Sequence, residues 1–238
     1  MSDLLDRRAQ KKARTRGHIR AVAQRLFTER GFDCVTIADV AHEADVAVQT
    51  VFNHFATKEE LFFDGHTPWV EGPAAAVRAR APEVPPLSAL RGYLVGAVRD
   101  IIASHAAPEH RCHMSTLQAS ETLCAQEREL VHEAELRLQA ALLEAWKPGT
   151  DAVPADPEAT APLVAAIWLA AARSLIVEQR ARLSTGADPC RTATAAAEFG
   201  ERLFGELEAA VDLVPSSAGT ITPAVDTGRP QDRIHRAG

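Results

Sequence analysis

Apolar residues near the start of the chain recur at the spacing of an α-helix. Between residues 15 and 30 they follow one another at intervals of three and four, which places them on one helical face. These residues are Ile19, Val22, Ala23, Leu26 and Phe27. Gly31 follows the stretch, as glycine often does at a helix C-terminus. The pattern predicts a helix over residues 15–30 with one face in a core.

Residues 36–55 predict two further helices joined by a tight turn. Thr36 offers a hydroxyl that caps the first of them. Asp45 falls at the corner, where we expect left-handed backbone, which Asp tolerates better than most residues. The inward positions are Ile37, Val40, Ala41 and Ala44 on the first helix, and Val51 and Phe55 on the second, at 47–55.

The second helix of this pair keeps a largely polar face outside, made of Val48, Gln49, Thr50, Asn53 and His54. A helix presented in this way fits the major groove of DNA, where base edges carry a donor and acceptor code. The pair therefore indicates a helix-turn-helix. On this stretch alone, an ordinary pair of core helices remains an alternative.

The rest of the chain also predicts helices, so the fold class is all-α. Thr57 and Glu60 form a capping box for a fourth helix. We expect the helix to weaken at Thr67-Pro68 and at Gly72-Pro73. We predict the later helices at 88–105, with Ser88 as its cap, and at 108–119, 121–146, 158–183 and 189–212. The last two are rich in alanine, which permits close helix packing.

Composition places the protein among cytoplasmic proteins without a membrane span. The chain has 238 residues, 46% of them hydrophobic, which suits one small and one larger domain. Its four cysteines form no CxxC pair, as in reduced intracellular proteins. No secretory signal begins the sequence. The longest apolar run, 163–177, is shorter than a span requires, and Arg173 interrupts it.

Charge is distributed unevenly along the chain. The formal net charge is −6, but residues 1–30 hold nine basic and three acidic residues, a balance of +6, so the remainder carries −12. A basic segment beside a helix-turn-helix is typical of a protein that touches phosphates at one end. The alternative for this run is a solvated tail.

The N-terminal segment resembles the TetR family of transcriptional repressors. The residues that carry the resemblance are Ala23, Leu26, Phe27, Gly31, Phe32, Thr36, Ile37, Ala38, Val40, Ala41, Thr50, Phe52, His54, Phe55, Lys58 and Leu61. Three positions depart from the family pattern. Asp45 replaces a Gly, Ala47 replaces a capping Ser or Thr, and Phe52 replaces a frequent Tyr, which removes one phosphate hydrogen bond.

The resemblance implies an N-terminal three-helix helix-turn-helix DNA-binding domain followed by a C-terminal helical ligand-binding and dimerisation domain. It further implies a homodimer built on the last two helices, a palindromic double-stranded DNA operator, and release of DNA when a small-molecule effector occupies the body. We place a basic flexible arm at 1–14, the DNA-binding domain at 15–63, the body at 64–212 and a disordered tail at 213–238.

Side-chain chemistry assigns roles at the DNA end. Amides pair well with adenine, so Gln49 and Asn53 are predicted to read bases, with Val48 against a thymine methyl group. Six further residues are assigned to the phosphates. They are Arg14, Arg16, Thr36, Thr50, His54 and Lys58. Phe52 is also included among the DNA-binding residues.

The sequence of the body gives weaker indications of a ligand-binding site. Candidate ligand residues are Trp146, Trp168, Arg173 and Cys124. Arg173 has three alternatives: a ligand anion, a glutamate such as Glu121, or solvent. A loose group of His105, His110, Cys112, His113 and Cys124 leaves a metal- or thiol-redox-responsive regulator as an alternative function, although its spacing matches no closed metal site. No phosphate loop or nucleophile with a base is visible, so we expect no enzyme, no cofactor and no bound metal.

Overall fold

The computed structural model describes residues 2–147 and 153–211, and these contain ten α-helices and no strand. The helices are α1 (Ser2–Arg30), α2 (Ile37–Glu43), α3 (Val48–Phe52), α4 (Lys58–Phe63), α5 (Pro68–Arg78), α6 (Pro86–Ser104), α7 (Pro108–Ala119), α8 (Glu121–Ala145), α9 (Pro157–Ser184) and α10 (Pro189–Ala209). The all-α fold class predicted from the sequence is confirmed. The tail predicted at 213–238 lies outside the described residues.

Helix α1 is longer than the sequence pattern predicted. We expected a flexible arm at 1–14, whereas the helix is continuous from Ser2 through this segment. Residues 2–14 contain neither Pro nor Gly and are rich in Ala, Leu, Gln, Lys and Arg, all good helix formers, so the helix extends beyond the part that packs. Residues 7–14 remain exposed, which leaves a basic helical extension rather than an unstructured arm.

Helices α2 and α3 form the predicted helix-turn-helix. Thr36 caps α2, and its side chain accepts a hydrogen bond from the Asp39 amide. At the corner, Asp45 adopts a φ of 52°, the left-handed conformation expected there. Helix α3 is shorter than the predicted 47–55, but the amide of Phe55 still donates to the carbonyl of Val51 at 2.9 Å. The helical turn therefore reaches Phe55 beyond the regular part of α3.

One apolar core holds α1 to α4 together and extends into the body. It contains the predicted inward residues of these helices, and Phe27, Phe32 and Phe62 pack ring against ring with centroids 5.1 to 5.9 Å apart. Met114 and Leu117 of α7 and Leu123 of α8 join the same core. The N-terminal domain, which we call the head, is thus in direct contact with part of the body.

Helix α5 passes through a segment where the sequence predicted a weak helix. The helix begins at Pro68 and continues past Gly72 and Pro73 to Arg78. Proline at the first position needs no amide partner, and a Cβ at Gly72 would lie 1.7 Å from the Tyr93 hydroxyl. Gly72 therefore permits α5 to approach α6 closely, and packing outweighs the local cost of Pro73.

The body core is formed by the remaining long helices. Trp168 is fully buried on α9 and lies against Phe204 of α10, with ring centroids 5.3 Å apart. Ser88 does not cap α6 as predicted, because the helix begins earlier, after Pro85. Its hydroxyl instead donates to Oε1 of Glu208 at 2.6 Å, a bond from α6 to α10.

The apolar stretch of α9 is longer than the predicted run at 163–177. By length and composition alone, Pro157–Arg180 reaches what a membrane-crossing helix needs. One such helix is weak evidence for a span, because the core helix of a folded domain passes the same test. Here Val164, Ala165 and Trp168 are buried in the body core, which accounts for one apolar face of α9.

Candidate functional site

The outward face of α3 carries the two amides predicted to read bases. Gln49 and Asn53 are both exposed, and Nε2 of Gln49 donates to Oδ1 of Asn53 at 3.2 Å. Val51 and Phe55 point the other way and are 0% and 1% exposed. Burial of the apolar pair fixes the rotation of α3, so the amides face solvent. An unpaired oxygen on Gln49 and an unpaired NH₂ on Asn53 are left for a partner.

Two apolar side chains flank these amides. Val48 and Phe52 are exposed on the same short helix, although large apolar residues are usually covered in a folded chain. Thr50 is half-buried beside them. Together they give α3 a mixed polar and apolar outer surface, which suits contact with base edges and thymine methyl groups.

His54 lies at the end of this surface in a partly buried position. Burial lowers the pKa of His54 below its usual value, and the nearby charges of Lys12 and Arg16 lower it further. Its Nδ1 atom is buried and has no hydrogen-bond partner among the described residues. The ring is therefore neutral at pH 7, and it can offer a phosphate a hydrogen bond but no charge.

Thr36 is exposed, but its hydroxyl is already in use. It donates to Oδ2 of Asp39 at 2.6 Å and accepts from the Asp39 amide at 3.1 Å. The hydrogen bond from the Thr36 side chain, followed by that from its backbone, lowers the pKa of Asp39. The carboxylate beside Thr36 is thus negative, which makes this helix start a poorer place for a phosphate than predicted.

Arg16 holds the head together. Its Nη2 lies 2.6 Å from Oδ1 of Asp64, and its Nη1 donates to the carbonyl of His54. The guanidinium carbon sits 4.1 Å from the centroid of the Phe55 ring. Burial acts to lower the pKa of Arg16, but the hydrogen bond and charge of Asp64, with those of Glu60, raise it overall. The predicted phosphate contact is at odds with these internal bonds.

Lys58 is also used internally. Its Nζ donates to the carbonyls of Phe32 at 3.1 Å and Val35 at 3.0 Å, and lies 4.1 Å from the centre of the Phe32 ring. The ammonium group therefore ties the start of α4 to the loop before α2. At least two of its three N–H donors are occupied, which opposes its predicted role at a phosphate.

Free cations lie instead on the helical extension of α1. Lys11, Lys12 and Arg14 are exposed there. Of the predicted phosphate contacts, Arg14 is the one whose side chain remains open to solvent without an ion pair to any described residue. The sequence pattern identified this basic run but did not separate it from Arg16, because the acidic partner of Arg16 lies 48 positions later.

A cavity of about 100 Å³ opens in the body between α5, α6, α8 and α9. Arg173 is in its wall, makes no pair with Glu121 and is exposed, which fits the solvent alternative; its role as a ligand contact stays a prediction. Trp146 and Trp168 are buried in the body core and do not line this cavity. Cys124 is also elsewhere, beside the head core, where its thiol donates to the carbonyl of Leu117 at 3.4 Å.

The sequence pattern missed other residues of this cavity. Tyr93, Glu127 and Arg180 supply polar atoms to its wall, and Trp69 supplies an indole ring. A signal existed for Arg180, because it follows Arg173 by seven residues and so shares its helical face. No periodicity identifies Tyr93 or Glu127, whose helices meet α9 only in the folded chain.

Histidines of the body meet where α7 packs against the head. The ring of His113 stacks between Phe62, at a centroid distance of 4.2 Å, and His66, at 3.9 Å. His105 and His110 approach each other at 4.7 Å. Burial, followed by neighbouring histidines, lowers the pKa of His113 to about 3 and that of His110 to about 4. Within the described ranges, no three His, Cys, Asp or Glu residues converge as a metal site.

Comparison with known proteins agrees with this geometry. The family model "Bacterial regulatory proteins, tetR family" matches residues 19–64. The HTH-type transcriptional regulator TcmR of Streptomyces glaucescens is 33% identical over 96 residues, which cover 39% of this chain and 42% of TcmR. The match thus spans less than half of the curated relative's length.

Two solved structures align with about four fifths of the chain. SmeT of Stenotrophomonas maltophilia, solved with triclosan, gives a TM-score of 0.53 at 18% identity, covering 79% of this chain and 90% of SmeT. NalD of Pseudomonas aeruginosa, described as the secondary repressor of the MexAB-OprM efflux pump, gives 0.49 at 20% identity, covering 81% and 96%. The likeness to SmeT shows the fold. Residues 19–64 are thus similar to the DNA-binding domain of the tetR family of bacterial regulatory proteins.

Proposed function

We propose that the protein is a transcriptional repressor that binds a palindromic DNA operator as a homodimer and releases it when a small molecule occupies the body. The observation that carries this proposal is the rotation of α3, which buries Val51 and Phe55 and exposes Gln49 and Asn53. Two amides on an outward helix match the donor and acceptor pattern of adenine in the major groove. The similarity of residues 19–64 to the tetR family supports the same function.

In this proposal, contacts to bases and contacts to phosphates come from different elements. Gln49, Asn53 and Val48 read base edges, whereas the exposed cations of α1, including Lys12 and Arg14, meet the phosphates. Thr50 and Phe52 lie in α3 and His54 follows it. All three contact the DNA backbone without adding charge. Affinity therefore depends on salt through α1, and sequence preference depends on α3.

Dimerisation is proposed through α9 and α10. Leu163, Ile167 and Val177 are exposed along one side of α9, and Phe199 is exposed on α10. Ile167 and Phe199 are 49% and 48% exposed, although the same helices bury their opposite faces in the body core. A second copy would cover this apolar surface and set two α3 helices on one side of a duplex.

Effector response is proposed to travel through α7. Its Met114 and Leu117 pack in the head core, and the buried Ser120 after it donates a hydrogen bond to Asp33 of the head at 2.9 Å. The start of α7 lies at a second cavity, lined by His105 and Arg111, which shares Val177 and Arg180 with the wall of the body cavity. An effector that moves the walls of the cavity would move α7 and, with it, the spacing of the two heads.

The experiment is a binding titration of the full chain against the DNA that adjoins its own gene, with scrambled DNA of equal length as the comparison. We expect preferential binding of the natural sequence, and we expect Gln49→Ala to lower that preference by about 1–3 kcal/mol at one base position. Lys12→Ala should weaken binding to both DNAs equally. Equal loss for both variants on both DNAs would contradict the assignment of roles.

A second measurement tests the dimer. Ile167→Glu places a charge in the proposed interface and is expected to give a monomer in sedimentation, with loss of operator binding but little loss of helix content. The matched control is Leu136→Glu, because Leu136 is a similarly exposed apolar residue that belongs to α8 and not to α9 or α10. A dimer that persists in Ile167→Glu, or is lost in the control, would contradict this interface.

A further inference from the structure

Arg180 presents an unsatisfied positive charge to the body cavity. Its Nε atom is buried without a hydrogen-bond partner, and its guanidinium makes no ion pair within 4.0 Å of any carboxylate among residues 2–147 and 153–211. Arg173 precedes it by two helical turns on the same face of α9 and is also unpaired within those residues. A buried N–H without a hydrogen-bond partner is costly, which makes Nε of the half-buried Arg180 a donor that a ligand would satisfy.

The surroundings of Arg180 do not neutralise it. Burial lowers the pKa of Arg180, the charge of Glu127 acts to raise it, and the charge of Arg173 lowers it again. Two guanidinium groups and one carboxylate therefore face the same cavity, a formal balance of +1 within a body whose sequence is strongly acidic. This local excess of positive charge favours an anion over a neutral or cationic molecule.

The remaining wall of the cavity is apolar. Its side chains include Trp69, Leu94, Val98, Val131, Leu169 and Ile176. A volume of about 100 Å³ is below the roughly 300–1,000 Å³ of pockets for drug-sized ligands, so the cavity suits an apolar group no larger than about one ring. Such walls contribute affinity through burial of apolar surface. The charged groups then favour those apolar molecules that also carry a negative charge.

We propose that the effector is a small organic monoanion, with an apolar body between Trp69 and Leu169 and a carboxylate or similar group on Arg180. This inference rests on the proposed function and specifies the chemical class of its ligand. Planar guanidinium groups bind carboxylates through two parallel hydrogen bonds, which would satisfy the buried Nε and one Nη. Glu127 sets the opposite preference and limits the affinity for anions.

The position of Arg180 also connects the ligand to the DNA-binding part. Arg180 and Val177 lie in the wall of a second cavity, which is lined on the other side by His105, Arg111 and Met114. Met114 belongs to the head core. An anion that draws the guanidinium toward the first cavity therefore removes it from the surface that faces α7.

The test uses three probes with the same apolar body and different charge: 4-phenylbutanoate, 4-phenylbutanamide and 4-phenylbutylamine. Each is titrated calorimetrically into the full chain without DNA. We expect the carboxylate to bind about tenfold or more tightly than the amide, and the amine more weakly than either. Binding of the amine in preference to the carboxylate, or no binding of any probe at millimolar concentration, would overturn the proposal.

Variants then assign the charge preference to Arg180. Arg180→Met keeps a stem of similar length and is expected to remove the advantage of the carboxylate over the amide, whereas Glu127→Gln is expected to increase it. The control is Arg182→Met, which lies two residues away, is exposed and should leave the preference unchanged. Should Arg180→Met unfold, Glu127→Gln still decides, because a fall in the preference for the anion would overturn the proposal.

The outcome is separate from that of the proposed function, because operator binding is measured without the probes. Operator binding with no charge preference among the probes would overturn the inference and leave the proposed function standing. A preference for the carboxylate without any operator binding would overturn the proposed function and leave the anion preference of the cavity standing.

Discussion

Asp64 forms an ion pair with Arg16 that joins α4 to α1, with Oδ1 of Asp64 2.6 Å from Nη2 of Arg16. Arg16 belongs to α1 and Asp64 follows α4, and the same guanidinium also bonds the carbonyl of His54 at the end of α3. One side chain therefore links three of the four helices of the head. A cation in this position orients the DNA-reading helix instead of contacting DNA itself.

Removal of this link is expected to destabilise the head. Arg16→Ala loses hydrogen bonds to Asp64 and His54 and the contact with the Phe55 ring, so we expect a loss of about 1–2 kcal/mol in the free energy of unfolding. Arg14→Ala is the matched control and should change stability little while weakening DNA binding at low salt. Urea unfolding of both variants measures the difference, and equal stability of the two would contradict it.

Lys58 leads to a second prediction of the same kind. Lys58→Met keeps the stem but removes two hydrogen bonds to the carbonyls of Phe32 and Val35, and we expect stability to fall by about 1–2 kcal/mol. Lys12→Met, in the exposed part of α1, should leave the unfolding midpoint unchanged. Lys58→Met with native stability and uniformly weaker DNA binding would instead restore the phosphate contact predicted from the sequence.

The sequence pattern predicted the structure of the head well, because the head depends largely on interactions between residues that are close in sequence. The Thr36 cap, the corner at Asp45 and the inward positions of α2 and α3 depend on residues three to four apart, and the structure has each of them as expected. The capping box predicted at Thr57 is only half formed, because Glu60 accepts from the Ala56 amide. The roles of Arg16 and Lys58 depend on partners 48 and 26 positions away, and no local pattern reveals these. A basic side chain in this region looks the same in sequence whether it meets a phosphate or a carbonyl.

The body was predicted less completely for the same reason. Helix positions follow from periodicity, but the cavity exists only where α5, α6, α8 and α9 meet, so Tyr93, Glu127 and Arg180 were missed. The tryptophans were singled out for their size, and the structure places both in the core. Burial of large aromatic side chains is the more general use of these residues.

The start of α3 offers a stabilising substitution. Ala47 occupies the N-cap position with extended backbone, φ −68° and ψ 147°, and makes no side-chain hydrogen bond there. Ala47→Ser would supply an acceptor for a free amide of the first turn, and we expect a gain of about 0.5–1 kcal/mol in the free energy of unfolding. The control is Ala81→Ser, because Ala81 is exposed between α5 and α6 and is not an N-cap. Thermal unfolding measures both, and a gain no larger than the control's would contradict this role of position 47.

Titration of His113 is expected to make the contact between α7 and the head sensitive to acid. His113 stacks between Phe62 and His66, and His110 of the same helix adds a further titratable group nearby. Burial, and to a smaller extent the neighbouring histidines, lower the pKa of His113 to about 3, whereas in the unfolded chain it is about 6.5.

The sign of the effect follows from this difference in pKa. Above pH 6.5 the ring is neutral in both states and the stacking is fully effective. As the pH falls from 6.5 toward 3, the unfolded chain binds a proton that the folded chain does not, so stability decreases. Between pH 7 and pH 5 we expect His113 to account for a loss of about 1–2 kcal/mol.

His113→Phe keeps an aromatic ring between Phe62 and His66 but cannot titrate. The variant is therefore expected to lose less stability than the natural chain between pH 7 and pH 5, as measured by urea unfolding at each pH. His132→Phe serves as the control, because His132 is largely exposed on α8 and should leave the pH dependence unchanged. A parallel pH dependence in His113→Phe and the natural chain would show that His113 is protonated equally in both states, which is incompatible with its burial at this contact.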